Sequence, residues 1–151
     1  MDFLKEEQSL MFTSKKYEEV YVFFEKKLEI KYQQLFILCA SLGFKKNVSK
    51  ALDGKGREFR SNYLKTSERT TVYLILLNDQ ELGKNIEAFS DKDFQLKSRR
   101  KLEMYAEGGM DILVKDVFRN RWNGLKLDES YKEYEVDILS YIYADSKEIP
   151  F

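Results

Sequence analysis

Histidine is absent from the 151 residues. That removes Ser-His-Asp and Cys-His catalysis and the usual zinc sites, which need an imidazole. The single cysteine, Cys39, excludes an intramolecular disulfide and fits a reducing cytosol. Proline occurs once, as Pro150, so helices can run unbroken and the seven glycines become the main punctuation. Net charge is missing too. The 26 Lys and Arg balance 26 Asp and Glu, which excludes a globally basic, histone-like DNA binder. No apolar run reaches the roughly 20 residues of a membrane span, so no membrane contact is expected. The start Met1-Asp2-Phe3-Leu4-Lys5-Glu6-Glu7 is acidic and mixed, unlike a signal peptide, and a cytoplasmic location is expected.

What is present suits a packed domain: 43% hydrophobic, 15% aromatic and 34% charged residues, with no repeat or long linker. The expected fold is all-α, a compact single-domain bundle of five to seven helices over residues 1–151. Residues 1–13 read as a loose arm or short helix, and 45–66 as a basic loop with eight Lys/Arg and three Asp/Glu over 45–69.

Within that frame Ser14 caps a first helix, along which Tyr17, Val20, Tyr21, Phe24 and Leu28 recur at helical spacing. A second helix covers about 31–42. Its run 35–40 is apolar all round, and Gly43 followed by Phe44 forms a left-handed stop. Residues 58–64 read as extended or a short turn. The stretch 70–77 has strand propensity, but a lone strand has no partner, so a buried helix is preferred. A short helix near 80–89 follows. Ser90-Asp91-Lys92-Asp93 then opens a long helix to about Glu107, which Gly108-Gly109 breaks. Met110, Leu113, Val114, Val117 and Phe118 mark another helix, to about Trp122. Ser130 caps a last one, with Tyr131, Tyr134, Ile138, Leu139 and Ile142 on one face. Its segment 128–151 is acidic, with seven Asp/Glu and two Lys.

Catalytic groups are sparse. Cys39 reads as a buried structural thiol. Asp53-Gly54-Lys55-Gly56-Arg57 lacks the phosphate-loop spacing and reads as a mobile solvated loop. Asp91, Asp93, Glu103, Glu107 and Asp111 offer oxygens to Mg²⁺. The first two read better as helix-start charges and the others as a solvated face. No enzyme, cofactor or metal is expected. The basic residues are more telling. Lys97, Arg99, Arg100 and Lys101 lie within one and a half turns. With Lys45, Lys46, Lys50, Lys55, Arg57 and Arg60 they form a candidate positive surface for nucleic acid or a partner, against the plainer reading of a solvated helix face. The acidic last helix is a second candidate surface.

Leu35-Phe36-Ile37-Leu38-Cys39-Ala40-Ser41-Leu42-Gly43-Phe44-Lys45, a basic loop, an apolar helix and Tyr105-Ala106-Glu107-Gly108-Gly109-Met110-Asp111-Ile112-Leu113 form an ordered set. The set resembles small helical accessory proteins encoded beside bacterial DNA phosphorothioation (Dnd) and related anti-phage systems. In those, an apolar helix ends in an A-x-L-G-(F/Y)-(K/R) stop, and a later Y-A-N-G-G-L-(E/D)-I-L stretch closes one helix and opens the next. The similarity covers about residues 17–119. Glu107 replaces the usual Asn and Met110 the usual Leu, and the tail beyond Trp122 has no counterpart. The resemblance implies a context without catalytic residues. The chain would be a non-enzymatic accessory or adaptor subunit of a DNA-targeting defence system, contacting another protein of its operon, an ATPase or a nuclease. The alternative is a small DNA-binding or regulatory protein of the same system that uses the basic patch. A metal-dependent nuclease is a third reading, opposed by the missing histidines and the lack of a tight acidic motif. Homo-oligomers are compatible with each. Physically, Gly43 and at least one of Gly108 and Gly109 are expected at positive φ, as structural turns.

Overall fold

Two helices that cross at their glycines organise the chain. In the computed structural model residues 2–6, 9–83 and 86–147 are described. Parts of the expected N-terminal arm, the 80–89 helix and the acidic tail lie outside the described residues. The elements in order are α1 (Phe3–Glu6), β1 (Leu10–Ser14), α2 (Glu18–Leu28), α3 (Tyr32–Lys46), β2 (Lys55–Arg60), α4 (Thr66–Asn78), α5 (Lys92–Ile112) and α6 (Tyr134–Lys147). Short 3-10 turns occupy Ser61–Tyr63, Ile86–Ser90 and Arg119–Arg121, and a π-helical turn covers Leu113–Phe118. The fold is 66% helical, with six helices as expected, but it is not all-α.

The correction is a two-stranded antiparallel sheet that pairs Leu10 with Arg60, Met11 with Phe59, Phe12 with Glu58 and, past a bulge, Ser14 with Lys55. β1 was expected mostly as a loose arm, and β2 lies inside the expected loop, although its residues 58–60 and the turn after them fall in the stretch 58–64 read as extended or a short turn. Only Phe59 of β2 is buried, so β2 carries none of the alternation that marks a half-buried strand. Gly56 makes the bulge possible, because a Cβ there would stand 2.8 Å from the Ser14 carbonyl oxygen. Ser14 therefore ends a strand. It does not cap α2, which begins after Tyr17.

The expected stripe on α2 does face inward: Tyr17, Val20, Tyr21 and Phe24 are buried. The apolar run of α3 is buried as well, Cys39 and Ala40 included. α3 runs past Gly43 and stops one turn later. There Asn47 takes the left-handed conformation (φ 56°), Val48 N–H donates to Gly43 O at 2.8 Å and Asn47 N–H to Phe44 O at 3.1 Å. These are the two bonds of a Schellman motif, and asparagine is among the few side chains that tolerate the left-handed region.

α4 is a helix, despite its β-branched residues. Glu68 Oε1 accepts the Lys65 N–H at 2.8 Å at its start. Thr70 and Thr71 turn their hydroxyls back to the carbonyls of Thr66 and Ser67. Val72, Ile75 and Leu76 then present one buried stripe. Asp91 caps α5 by accepting the Phe94 N–H at 3.0 Å.

α5 is unbroken through Gly108 and Gly109, and the helix expected to start at Met110 is its continuation. None of Gly43, Gly108 and Gly109 has positive φ; the positive-φ glycines are Gly54, Gly83 and Gly124. The three glycines serve close approach instead. A Cβ on Gly43 would drive into the Tyr105 carbonyl, one on Gly108 into Val48 O, and one on Gly109 into Cys39 O. α3 and α5 thus pack backbone against backbone, and side chains from every helix close over the crossing in one apolar cluster.

α6 starts at Tyr134, not at a Ser130 cap. Tyr134 and Ile138 face the core, while Leu139, expected on the same face, is exposed. Among the described residues no helix is long and apolar enough to cross a membrane.

Candidate functional site

Six of the ten cations of the positive surface drawn from the sequence are paired with carboxylates within the fold. Lys45 and Lys46, at the end of α3, both bond Asp145 of α6 and hold its carboxyl below the usual range. Lys50 Nζ donates to Asp111 at 2.9 Å. Arg57 pairs with Glu25 at 3.0 Å, and its guanidinium lies 4.0 Å over the Tyr32 ring. Lys101 reaches Glu81 at 3.1 Å and lies within 4.0 Å of Asp79.

Besides Lys45 with Lys46 at Asp145, and Lys97, Arg100 and Lys101 along one groove, the fold brings together Lys55 and Arg100. Both stack on the Phe12 ring, at 4.6 Å and 5.3 Å, and both lie beside the Glu103 carboxylate. Arg100 Nη1 donates to the two Glu103 oxygens at 2.7 and 2.8 Å. Arg99 is half-buried, with its Nε inside the protein and without a hydrogen bond; burial and then the neighbouring Arg100 lower its affinity for the proton. Lys97 and Arg60 stand exposed on different elements. Because β2 occupies 55–60, the second half of the expected mobile loop is ordered strand.

Two carboxylates expected on a solvated face are buried instead. Glu103 is 2% exposed and Glu107 3%. Their spacing of four, continued to Asp111, places all three along the face of α5 that meets β1 and the start of α2. Glu103 Oε2 accepts the Phe12 N–H at 2.9 Å, which satisfies a strand donor that β2 leaves unpaired. Tyr17 donates its hydroxyl to Asp111. Glu107 lies deepest. Burial raises its carboxyl to about 7; the Ser14 hydroxyl beside it, Lys16 and Lys50 oppose the shift, and Asp111 adds to it. The Ser14 hydroxyl is itself buried without a well-formed hydrogen bond. Cys39, close to Glu107, is fully buried, and burial together with that carboxylate raises its thiol far above the ordinary range. A thiol held protonated in a dry core is a poor nucleophile. Among the described residues no three of His, Cys, Asp and Glu converge as a cation site.

An open groove of about 640 Å³ runs along the first half of α5. Leu82, Phe94, Leu96 and Met104 form its apolar floor, and Lys97 and Arg100 stand at its rim with Asp91 and Asp93. Mixed charge of this kind selects no particular ligand.

The surface also carries large apolar side chains that composition alone does not reveal. Leu74 of α4 and Ile86 are exposed near a shallow depression lined by Tyr73, Leu77 and Phe89. On α6, Val136, Leu139 and Tyr143 are 54%, 66% and 61% exposed. A period count over 134–147 finds apolar residues on both sides of that helix, and this was the available signal for an outward apolar face. No protein-family model, curated protein or solved structure matches the chain.

Proposed function

We propose that the chain is a non-enzymatic binding subunit that works through contacts with another protein, in the setting its sequence resemblance implies: an accessory or adaptor of a bacterial DNA-targeting anti-phage system. One observation carries the contact mode. Of the ten cations singled out, six are engaged by Asp145, Asp111, Glu25, Glu103, Glu81 or Asp79, whereas the large apolar side chains of Leu74, Val136 and Leu139 stand exposed on helices. Phosphate binding needs cations that can give up water and counterions to the ligand. A lysine already held by a carboxylate must first break that pair. Exposed apolar side chains on a well-packed helix are what protein contacts use. The alternative, DNA binding, draws support from the four cations that no carboxylate pairs: exposed Lys55, Arg60 and Lys97, and half-buried Arg99.

Purified chain, mixed with each neighbouring gene product and with duplex DNA at 50 and 200 mM salt, separates the two. A protein complex that persists at 200 mM salt, with weak DNA retention, supports the adaptor. DNA retention that falls steeply with salt and is lost on Lys97→Glu, without any protein complex, overturns it.

A further inference from the structure

We infer that the outer edge of β2 is a self-association site, at which two copies of the chain join antiparallel into one four-stranded sheet. The inference stands independently of the protein-contact reading above. β1 is engaged on both sides: it pairs with β2 on one, and on the other its Phe12 N–H donates to Glu103 of α5. β2 is engaged on one side only. Positions 9 and 61 are bonded across the ladder, Ser61 N–H donating to Ser9 O at 2.7 Å. Bonded and non-bonded positions alternate along an antiparallel pair, so Leu10 with Arg60 and Phe12 with Glu58 are the non-bonded ones. The N–H and C=O groups of Glu58 and Arg60 therefore point away from β1. Among the described residues nothing bonds them, and Lys55, Arg57, Glu58 and Arg60 are all exposed. The strand is nevertheless held firmly. The Phe59 ring is buried edge-on to Phe36 at 5.0 Å, and Arg57 is tied to Glu25. A fixed edge loses little conformational freedom on pairing.

Charge selects the occupant. Short length, a bulge and charged side chains blunt an edge against most strands, and β2 has all three. Its charges are of both signs, however, and in one register they match themselves. When Glu58 of one copy faces Arg60 of the other, a two-fold axis passes between the two Phe59 residues, and Arg60 faces Glu58 in return. Both outward-pointing positions then become bonded pairs, each exchanging two main-chain hydrogen bonds. Each also sets a carboxylate directly opposite a guanidinium. Among the described residues neither side chain has an ion-pair partner within its own chain, so no existing pair must break. Sliding the register by two residues sets Glu58 against Glu58, or Arg60 against Arg60. A foreign strand of uniform charge meets a like charge at one of the two positions. The second copy satisfies both.

Sedimentation velocity of the full-length chain over a wide concentration range is the test. A weak dimer is expected, and salt should weaken it further by screening the facing pairs. Glu58→Arg and Arg60→Glu should each reduce self-association about tenfold or more, because each sets like charges opposite one another at both positions. An equimolar mixture of the two variants should restore the dimer, since every facing pair between unlike chains is then of opposite sign. The double variant, with the two charges exchanged, should dimerise like wild type. Melting curves should match wild type, since both side chains are exposed. Amide exchange in the wild-type chain needs no variant. Protection at Glu58 and Arg60 should rise several-fold with concentration, while Phe59, already bonded to β1, should not change. A chain that stays monomeric at every concentration overturns the inference. So does a dimer that both single variants leave intact, or one that their mixture fails to restore. Protection of Glu58 and Arg60 by a neighbouring gene product, in a chain that is monomeric alone, gives the edge to a foreign strand. That result overturns self-association and supports the protein-contact reading.

Discussion

Gly109 of α5 lies against the Cys39 carbonyl of α3, where there is no space for a Cβ. The glycine pair is thus a contact surface within a continuous helix. Gly109→Ala should force the two longest helices apart and cost about 3 kcal/mol or more, at the upper end of overpacking, because the obstacle is backbone and cannot rotate away. Gly83→Ala serves as the control. It has φ 78° and nothing near its Cβ position, so only local backbone strain of about 1 kcal/mol is expected. Urea unfolding of both variants checks this, and equal midpoints would refute the close-packing role.

That pair also shows what was legible from the residues. Gly-Gly in a helical pattern signals either a break or a close approach, and local sequence cannot tell them apart, since the deciding atom, Cys39 O, is seventy residues away along the chain. The same limit hid the sheet. Lys55–Arg60 looks like a solvated loop until β1 is placed beside it. Elements decided by local periodicity were readable: the inward stripe of α2, the buried run of α3, α4 as a helix, and the Asp91 cap. The ion pairs of the basic residues were hidden for a related reason. Apart from Arg100 with Glu103 on the same helix, the ion pairs come from tertiary contacts such as Lys46 with Asp145 and Arg57 with Glu25.

Glu107 should make stability depend on pH in an uncommon direction for a carboxylate. Its folded value, about 7, lies above the ordinary 4.5, so the fold favours the neutral form. The group is therefore without cost below about pH 4.5, becomes progressively unfavourable as pH rises towards 7, and is fully so above that. The difference corresponds to roughly 3 kcal/mol. Glu107→Gln should raise the melting temperature at pH 8 and give little gain at pH 5. A constant difference between the two proteins across pH 5–8 would show that Glu107 is charged throughout.

Cys39 should behave as a core residue. Its thiol is fully buried and held protonated, so labelling in the native state should require unfolding and proceed at the unfolding-limited rate. Cys39→Ala should cost about 1–2 kcal/mol through lost packing and leave any binding activity intact. Rapid labelling of native protein would contradict the burial.

Arg100 and Lys97 lie three residues apart on α5 yet should respond oppositely to charge reversal. Lys97 is exposed, and Lys97→Glu should change stability by less than about 0.5 kcal/mol. Arg100, its side chain 34% exposed, is the cation bonded to buried Glu103, which in turn holds the Phe12 N–H of β1. Arg100→Glu would set a second carboxylate against Glu103 and leave Lys55 as the nearest cation. Removing one partner from a buried pair is costly; with Arg100 partly solvated, a loss of about 2–3 kcal/mol is expected, together with loosening of the β1–α5 contact. Amide exchange at Phe12 in the two variants checks this directly, and should accelerate only in Arg100→Glu. Loss of DNA or partner binding in an Arg100 variant would therefore report a weakened strand attachment, and the charge of this face is tested properly only at Lys97.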